Sequence, residues 1–109
     1  MTLWRRNPRK DDNHATIVDT FRKHGATVVP LSAPGCPDLL VGFVRPDGSR
    51  VNLLVEVKRP VGPRGGTSHS RLNDAQEAFR RSWRGDPVWT VRTPAEAVAV
   101  LFYDPEEVT

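Results

Sequence analysis

From Asp11 to Gly25 the chain reads DDNHATIVDTFRKHG, with Ala15, Val18 and Phe21 recurring at helical spacing among polar residues. That period predicts a first helix, capped by Asp12 or Asn13, with Lys23 and His24 at its basic end and Gly25 free to take the left-handed turn that stops it. The pattern then shortens. ATVVPL, DLLVGFV and RVNLLVEVK are apolar runs of strand length, the last two joined by RPDGSR. LNDAQEAFRRSW returns to helical spacing, PVWTV is a further strand, and TPAEAVAVLF a last helix with Thr93 as N-cap, Pro94 at its first position and Glu96 completing a capping box. The predicted order is α-β-β-β-α-β-α, an α/β fold with a mixed sheet flanked by helices. With 109 residues, no repeat and no second composition regime, residues 1–109 read as a single domain.

Two carboxylates stand inside the apolar hairpin, Asp38 before its first strand and Glu56 near the end of its second. An unpaired charge buried in a sheet costs several kcal/mol, so either they sit at frayed strand ends in solvent or something cationic meets them. The turn sets their geometry. Pro46 suits the first central position of a type I turn and Gly48 the left-handed position of a three-residue loop, which pairs Arg45 with Ser49. In that register Asp38 lies opposite Glu56, with Cβ atoms roughly 5 Å apart. Alternation puts Lys58 on the same face and turns Val55 and Val57 to the other. Facing carboxylates repel, and a proton or a hard divalent cation relieves them. Oxygen ligands on neighbouring strands suit Mg²⁺, which keeps water and phosphate in its other positions. Lys58 can then stabilise charge that develops on a phosphoryl group.

Composition extends this picture. The net charge is only +3, but cations cluster, giving a pI of about 9.6. Arg5, Arg6, Arg9 and Lys10 open the chain as a basic arm over 1–11, and the acids gather in a tail over 103–109. Between Glu56 and Asp74 there is no acid, while Lys58, Arg59, Arg64, His69 and Arg71 all fall there. The stretch 59–72, rich in Gly, Pro and Ser, predicts a flexible basic loop for phosphate contact, with Arg59, Arg64, His69 and Arg71 as candidate nucleic-acid-binding residues. A polyanion such as DNA is therefore the expected partner. No spanning or basic amphipathic segment points to a membrane. A single cysteine, Cys36, excludes an internal disulfide, and no signal-peptide pattern opens the chain, so a cytoplasmic protein is expected. Cys36 between Gly35 and Pro37 reads as a small structural residue rather than a nucleophile.

Pro37-Asp38 followed after a hairpin by Glu56-Val57-Lys58 resembles the PD-(D/E)XK nuclease motif. The wider strings GATVVPLSAPGCPDLLVG, LLVEVK, LNDAQEAFRRSWRG and VRTPAEAVAVL are similar to the virus-type replication-repair nuclease (VRR-NUC) family within that superfamily, over roughly residues 12 to 101. The resemblance implies a restriction-endonuclease-like core and hydrolysis of DNA phosphodiesters dependent on Mg²⁺ or Mn²⁺, with no small-molecule cofactor. It implies Asp38, Glu56 and the main-chain carbonyl of Val57 as metal ligands, Lys58 as the catalytic cation, and Gln76 as a further catalytic residue. The family places an acid in the first helix, and alignment on Ile17-Val18 puts His14 there as a candidate metal ligand, one better suited to Mn²⁺ than to Mg²⁺.

The residues leave alternatives. His14 falls on the stripe of Val18 and Phe21, where a hydrogen-bonded structural histidine fits as well as a ligand. Gln76, three residues after Asn73, either completes a helix cap or faces the sheet with Leu72, Phe79 and Trp83. The function expected is a metal-dependent DNA nuclease, with branched or junction DNA as one candidate substrate beside flaps, single strands and plain duplex. The alternative is a DNA-binding module of the same fold with weak or lost catalysis. Cleavage of both strands would favour a homodimer.

Overall fold

The computed structural model describes residues 8–60 and 74–103. Its elements follow the predicted order: α1 (Pro8–Lys23), β1 (Thr27–Pro30), β2 (Leu39–Val44), β3 (Arg50–Val57), α2 (Asp74–Ser82), β4 (Trp89–Val91) and α3 (Pro94–Phe102). The strands form one sheet in the order β1-β2-β3-β4. β1–β2 and β2–β3 pair antiparallel and β3–β4 parallel, because the chain returns through α2 before laying down β4.

The central hairpin forms as its turn chemistry dictates. Gly48 sits at φ +89, Gly48 N–H donates to the Arg45 carbonyl at 2.8 Å, and Arg45 N–H to the Ser49 carbonyl at 2.8 Å. Asp47 Oδ1 accepts from both the Ser49 N–H and its hydroxyl, which locks the loop. The register that follows pairs Leu39 with Val55 and Val44 with Arg50, as the three-residue loop requires.

One face of the sheet carries the core. Leu39, Val41, Phe43, Leu53, Val55, Val57 and Val91 point there, against Ile17 and Phe21 of α1 and Ala97, Val100 and Leu101 of α3. Each of the larger side chains fully removed from water contributes about 1.5–3 kcal/mol. Thr93 caps α3 by accepting from Glu96 N–H at 3.1 Å. The expected capping box closes differently: the Glu96 carboxylate reaches past the cap to Arg92 N–H at 2.6 Å. The far end of α3 is held by Arg45, whose guanidinium donates to the carbonyls of Leu101, at 3.1 Å, and Tyr103.

α1 departs from expectation at both its start and its stripe. It begins at Pro8, because a proline is preorganised for the first helical position and no breaker separates it from Asp12; the arm expected over 1–11 is helical from Pro8, and 1–7 and the tail from 104 lie outside the described residues. Ile17 and Phe21 are fully buried, whereas Ala15 is exposed. Burial is thus centred on Ile17 and Phe21, with Asn13 and Val18 half-buried to either side. Most of the loop expected over 59–72 also lies outside the described residues. No described helix is long and apolar enough to cross a membrane.

Candidate active site

The site grows out of the point where β2–β3 pairing stops. Extending the register past Leu39–Val55 sets Asp38 opposite Glu56 and Pro37 opposite Val57. Arg45 and Ser49 are a directly bonded pair, so on β3 the odd-numbered residues aim N–H and C=O at β2. For Val57 the partner is the fully buried Pro37, which has no N–H to offer. The Asp38 carboxylate takes the place of the Pro37 carbonyl as acceptor here: its Oδ2 accepts from Val57 N–H at 2.8 Å. The Val57 carbonyl, parallel to that N–H, faces the same edge without a ladder donor opposite it. The Asp38 main chain is fixed from the other side, its carbonyl accepting from Leu31 N–H at 2.8 Å.

Glu56 is the buried charged residue of the described chain, only 3% exposed. Its Oε2 accepts from Gln76 Nε2 at 2.6 Å and lies 3.8 Å from Lys58 Nζ. Lys58 Nζ donates in turn to Gln76 Oε1 at 3.0 Å. The Gln76 amide therefore bridges acid and ammonium and is fixed in one orientation by both. Burial foremost, then the Asp38 charge and a hydrogen bond with the Asp38 carboxyl, push Glu56 from 4.5 up to about 7, while Lys58 and Arg80 pull the other way. The facing acids thus hold a proton that two isolated carboxylates would have lost.

α2 lies over this face because the loop before Asp38 allows close approach. Gly35 sits at φ +76, and a Cβ there would come within 2.9 Å of the Ala75 carbonyl oxygen. From this seat α2 presents Gln76 to Glu56 and, one turn on, Arg80, whose Nη2 donates to Thr90 Oγ1 of β4 at 2.7 Å. Trp83 stacks on Phe79 with ring centroids 5.3 Å apart, and remains 43% exposed. On the opposite side Asn13 Nδ2 of α1 donates to the Lys58 carbonyl at 2.8 Å.

Asp38, Glu56, Lys58 and Gln76 are therefore brought together, with the Val57 carbonyl among them, and the sheet-facing alternative for Gln76 is the one found. His14 stands elsewhere: it lines a groove between α1 and β1 with Val18, Arg22, Val28 and Pro30. The physical reason is the rotation of α1, which makes Asn13 the residue one turn before buried Ile17. Among the described residues, no three of His, Cys, Asp and Glu gather closely enough to hold a metal ion. Arg59 follows Lys58 and its carbonyl accepts from Arg92 Nη1 at 3.1 Å; Arg64, His69 and Arg71 lie outside the described residues. Sequence reasoning missed Asn13, Arg80 and Thr90. Helical spacing carried two of the signals, since Asn13 precedes Ile17, and Arg80 follows Gln76, by four residues.

A four-stranded mixed sheet with three helices in this order is consistent with a VRR-NUC nuclease fold. A solved structure of a "VRR_NUC domain" is similar to this chain with a TM-score of 0.58 and 26% identity, covering 88% of this chain and 98% of that one. This similarity supports the VRR-NUC family that the motifs resemble. No family model matches the chain, and no curated protein matches it.

Proposed function

We propose that the protein is a DNA nuclease that hydrolyses phosphodiester bonds with a divalent metal ion, Mg²⁺ or Mn²⁺. The observation that supports this reading is the convergence of the Asp38 and Glu56 carboxylates on one edge of the sheet, with Lys58 held beside them by Gln76. The donor set fits such an ion. It is made of hard oxygens, and Lys58 and Arg80 offset burial and the Asp38 charge at the Glu56 carboxyl only in part, a deficit that a cation would make up. Asp38, Glu56 and the Val57 carbonyl would hold the ion, which when bound polarises a phosphoryl oxygen and lowers the pKa of its water.

The chain's own groups do the rest. Gln76 keeps the Lys58 ammonium and the Glu56 carboxylate apart at 3.8 Å instead of letting them collapse into a tight pair, so the ammonium can turn to a phosphoryl oxygen as its charge grows. Asn13 anchors the Lys58 backbone through its carbonyl. Arg59, Arg64, His69 and Arg71 follow directly in sequence and would contact the DNA backbone. Cleaving both strands calls for two sites, which a homodimer provides.

A second reading, a DNA-binding module of this fold without turnover, rests on Asn13. An amide rather than an acid occupies the α1 position that faces the site. A panel of linear, flapped and four-way-junction DNAs with Mg²⁺ and with Mn²⁺ decides between them. Metal-dependent cleavage supports the nuclease and ranks substrate structures, whereas binding without cleavage in either metal selects the second reading.

A further inference from the structure

Along the sheet face that α2 overlies, three neighbouring strands carry a row of charges: Asp38 before β2, Glu56 on β3, and the Arg80 guanidinium of α2 seated on Thr90 of β4. Thr90 pairs with Glu56 in the parallel register, so the hydroxyl that seats Arg80 is one strand away from the buried acid, and the guanidinium charge acts on the Glu56 carboxyl. Thr90 takes one of the five N–H donors of the guanidinium. No other hydrogen bond or ion pair of Arg80 is made among the described residues, although the side chain is half-buried. Lys58 differs, for its ammonium is already engaged by Gln76 and Glu56. A planar fork, fixed at one nitrogen and open at the rest, matches the two non-bridging oxygens of a phosphodiester.

We infer that Arg80 is a phosphate-binding residue that grips the DNA backbone next to the phosphate being cut, with Thr90 orienting its guanidinium. The inference rests on the nuclease reading and adds the path of the strand, which crosses the sheet from the acid pair toward β4. Thr90 is thereby a positioning residue. A contact of this type discriminates no base and acts on affinity for all sequences alike.

The test is a binding scan in Ca²⁺ with DNAs in which each phosphate in turn is a neutral methylphosphonate, run with wild type, Arg80→Gln, Arg80→Lys and Thr90→Val. Wild type should lose roughly tenfold at the position Arg80 grips. Arg80→Gln should bind roughly tenfold more weakly overall, lose nothing further at that position, and show a salt slope smaller by about 0.9 on duplex. Arg80→Lys should regain the salt slope but not the full affinity. Thr90→Val should raise KM while leaving kcat within about twofold, the pattern of lost binding rather than lost chemistry. If Arg80→Gln shows the same methylphosphonate profile as wild type, the inference is overturned. It is also overturned if Arg80→Gln and Thr90→Val lose equal unfolding stability and keep full affinity, which would make Arg80 only a strut between α2 and β4. Wild type that cuts DNA under a flat scan overturns this inference alone, and wild type that binds no DNA overturns the nuclease reading with it.

Discussion

Replacing Glu56 by Gln converts the buried acid into a neutral isostere of its protonated form. The Gln carbonyl can still accept from Gln76, and its amide can donate to Asp38 as the carboxyl proton does. In the wild type, Glu56 titrates near 7 in the folded protein, against 4.5 for an unperturbed glutamate. Between these values the folded chain binds the extra proton, so stability is fully present below pH 4.5 and is lost as the pH rises through about 7. At 1.36 kcal/mol per pH unit the rise corresponds to a loss of about 3 kcal/mol by pH 8. The variant has no such titration. Its stability relative to wild type should climb by up to about 3 kcal/mol between pH 5 and pH 8, which in a chain of 109 residues is a difference in Tm on the order of 10 °C. Urea unfolding at half-unit pH steps with a chelator present measures this, and titrating groups away from the pair cancel in the difference. Mn²⁺ at pH 8 should close the gap from the other side, stabilising wild type but not the variant. A constant difference from pH 5 to pH 8, or a variant less stable than wild type at pH 8, would refute the argument that Lys58 and Arg80 compensate the acid pair only in part.

Five further outcomes follow from the same geometry. Asp38→Asn should abolish cleavage while the fold is kept, and wild-type Mn²⁺ affinity measured by calorimetry should fall roughly tenfold per pH unit below 7 as the Glu56 proton competes. Lys58→Met should slow single-turnover cleavage by roughly 10²-fold yet leave DNA affinity in Ca²⁺ nearly unchanged, since the charge it stabilises grows only as the bond breaks. Asn13→Asp should shift metal preference toward Mg²⁺ by adding a carboxylate beside Lys58, and His14→Glu should not; the reverse order in a titration of both metals would restore His14 as the ligand. Gly35→Ala should cost about 1–3 kcal/mol and lower cleavage, because both its φ of +76 and the approach of Ala75 forbid a side chain.

Much of this site was legible because it is local. The register of Asp38 against Glu56 depends on the length of one turn, and Pro46, Gly48 and Ser49 specify that length within six residues. The face of Lys58 follows from alternation alone. Gln76 needed more, for its contact with Glu56 spans twenty residues and depends on where α2 docks, which Gly35 and Ala75 decide through a close approach that no period reveals. α1 shows the limit most clearly. Ala15, Val18 and Phe21 make an acceptable stripe, as do Asn13, Ile17 and Phe21, and only packing against α3 and the sheet selects the second. Helical rotation by one residue is enough to exchange His14 for Asn13 at the site.

Pro37 acts on this molecule by subtraction. Any other residue there would supply an N–H, the hairpin would zip one rung further, and the Val57 oxygen would be consumed by the sheet's own pairing. The proline works as a stop in the zipper, leaving the edge beyond it with an oxygen that looks outward and a carboxylate that has taken over a ladder carbonyl's part as acceptor. Function at this edge is then sensitive to a residue that need touch neither ion nor DNA. Pro37→Ala would leave Asp38, Glu56 and Lys58 all in place, and would still set the fold in competition with the cation for a single lone pair.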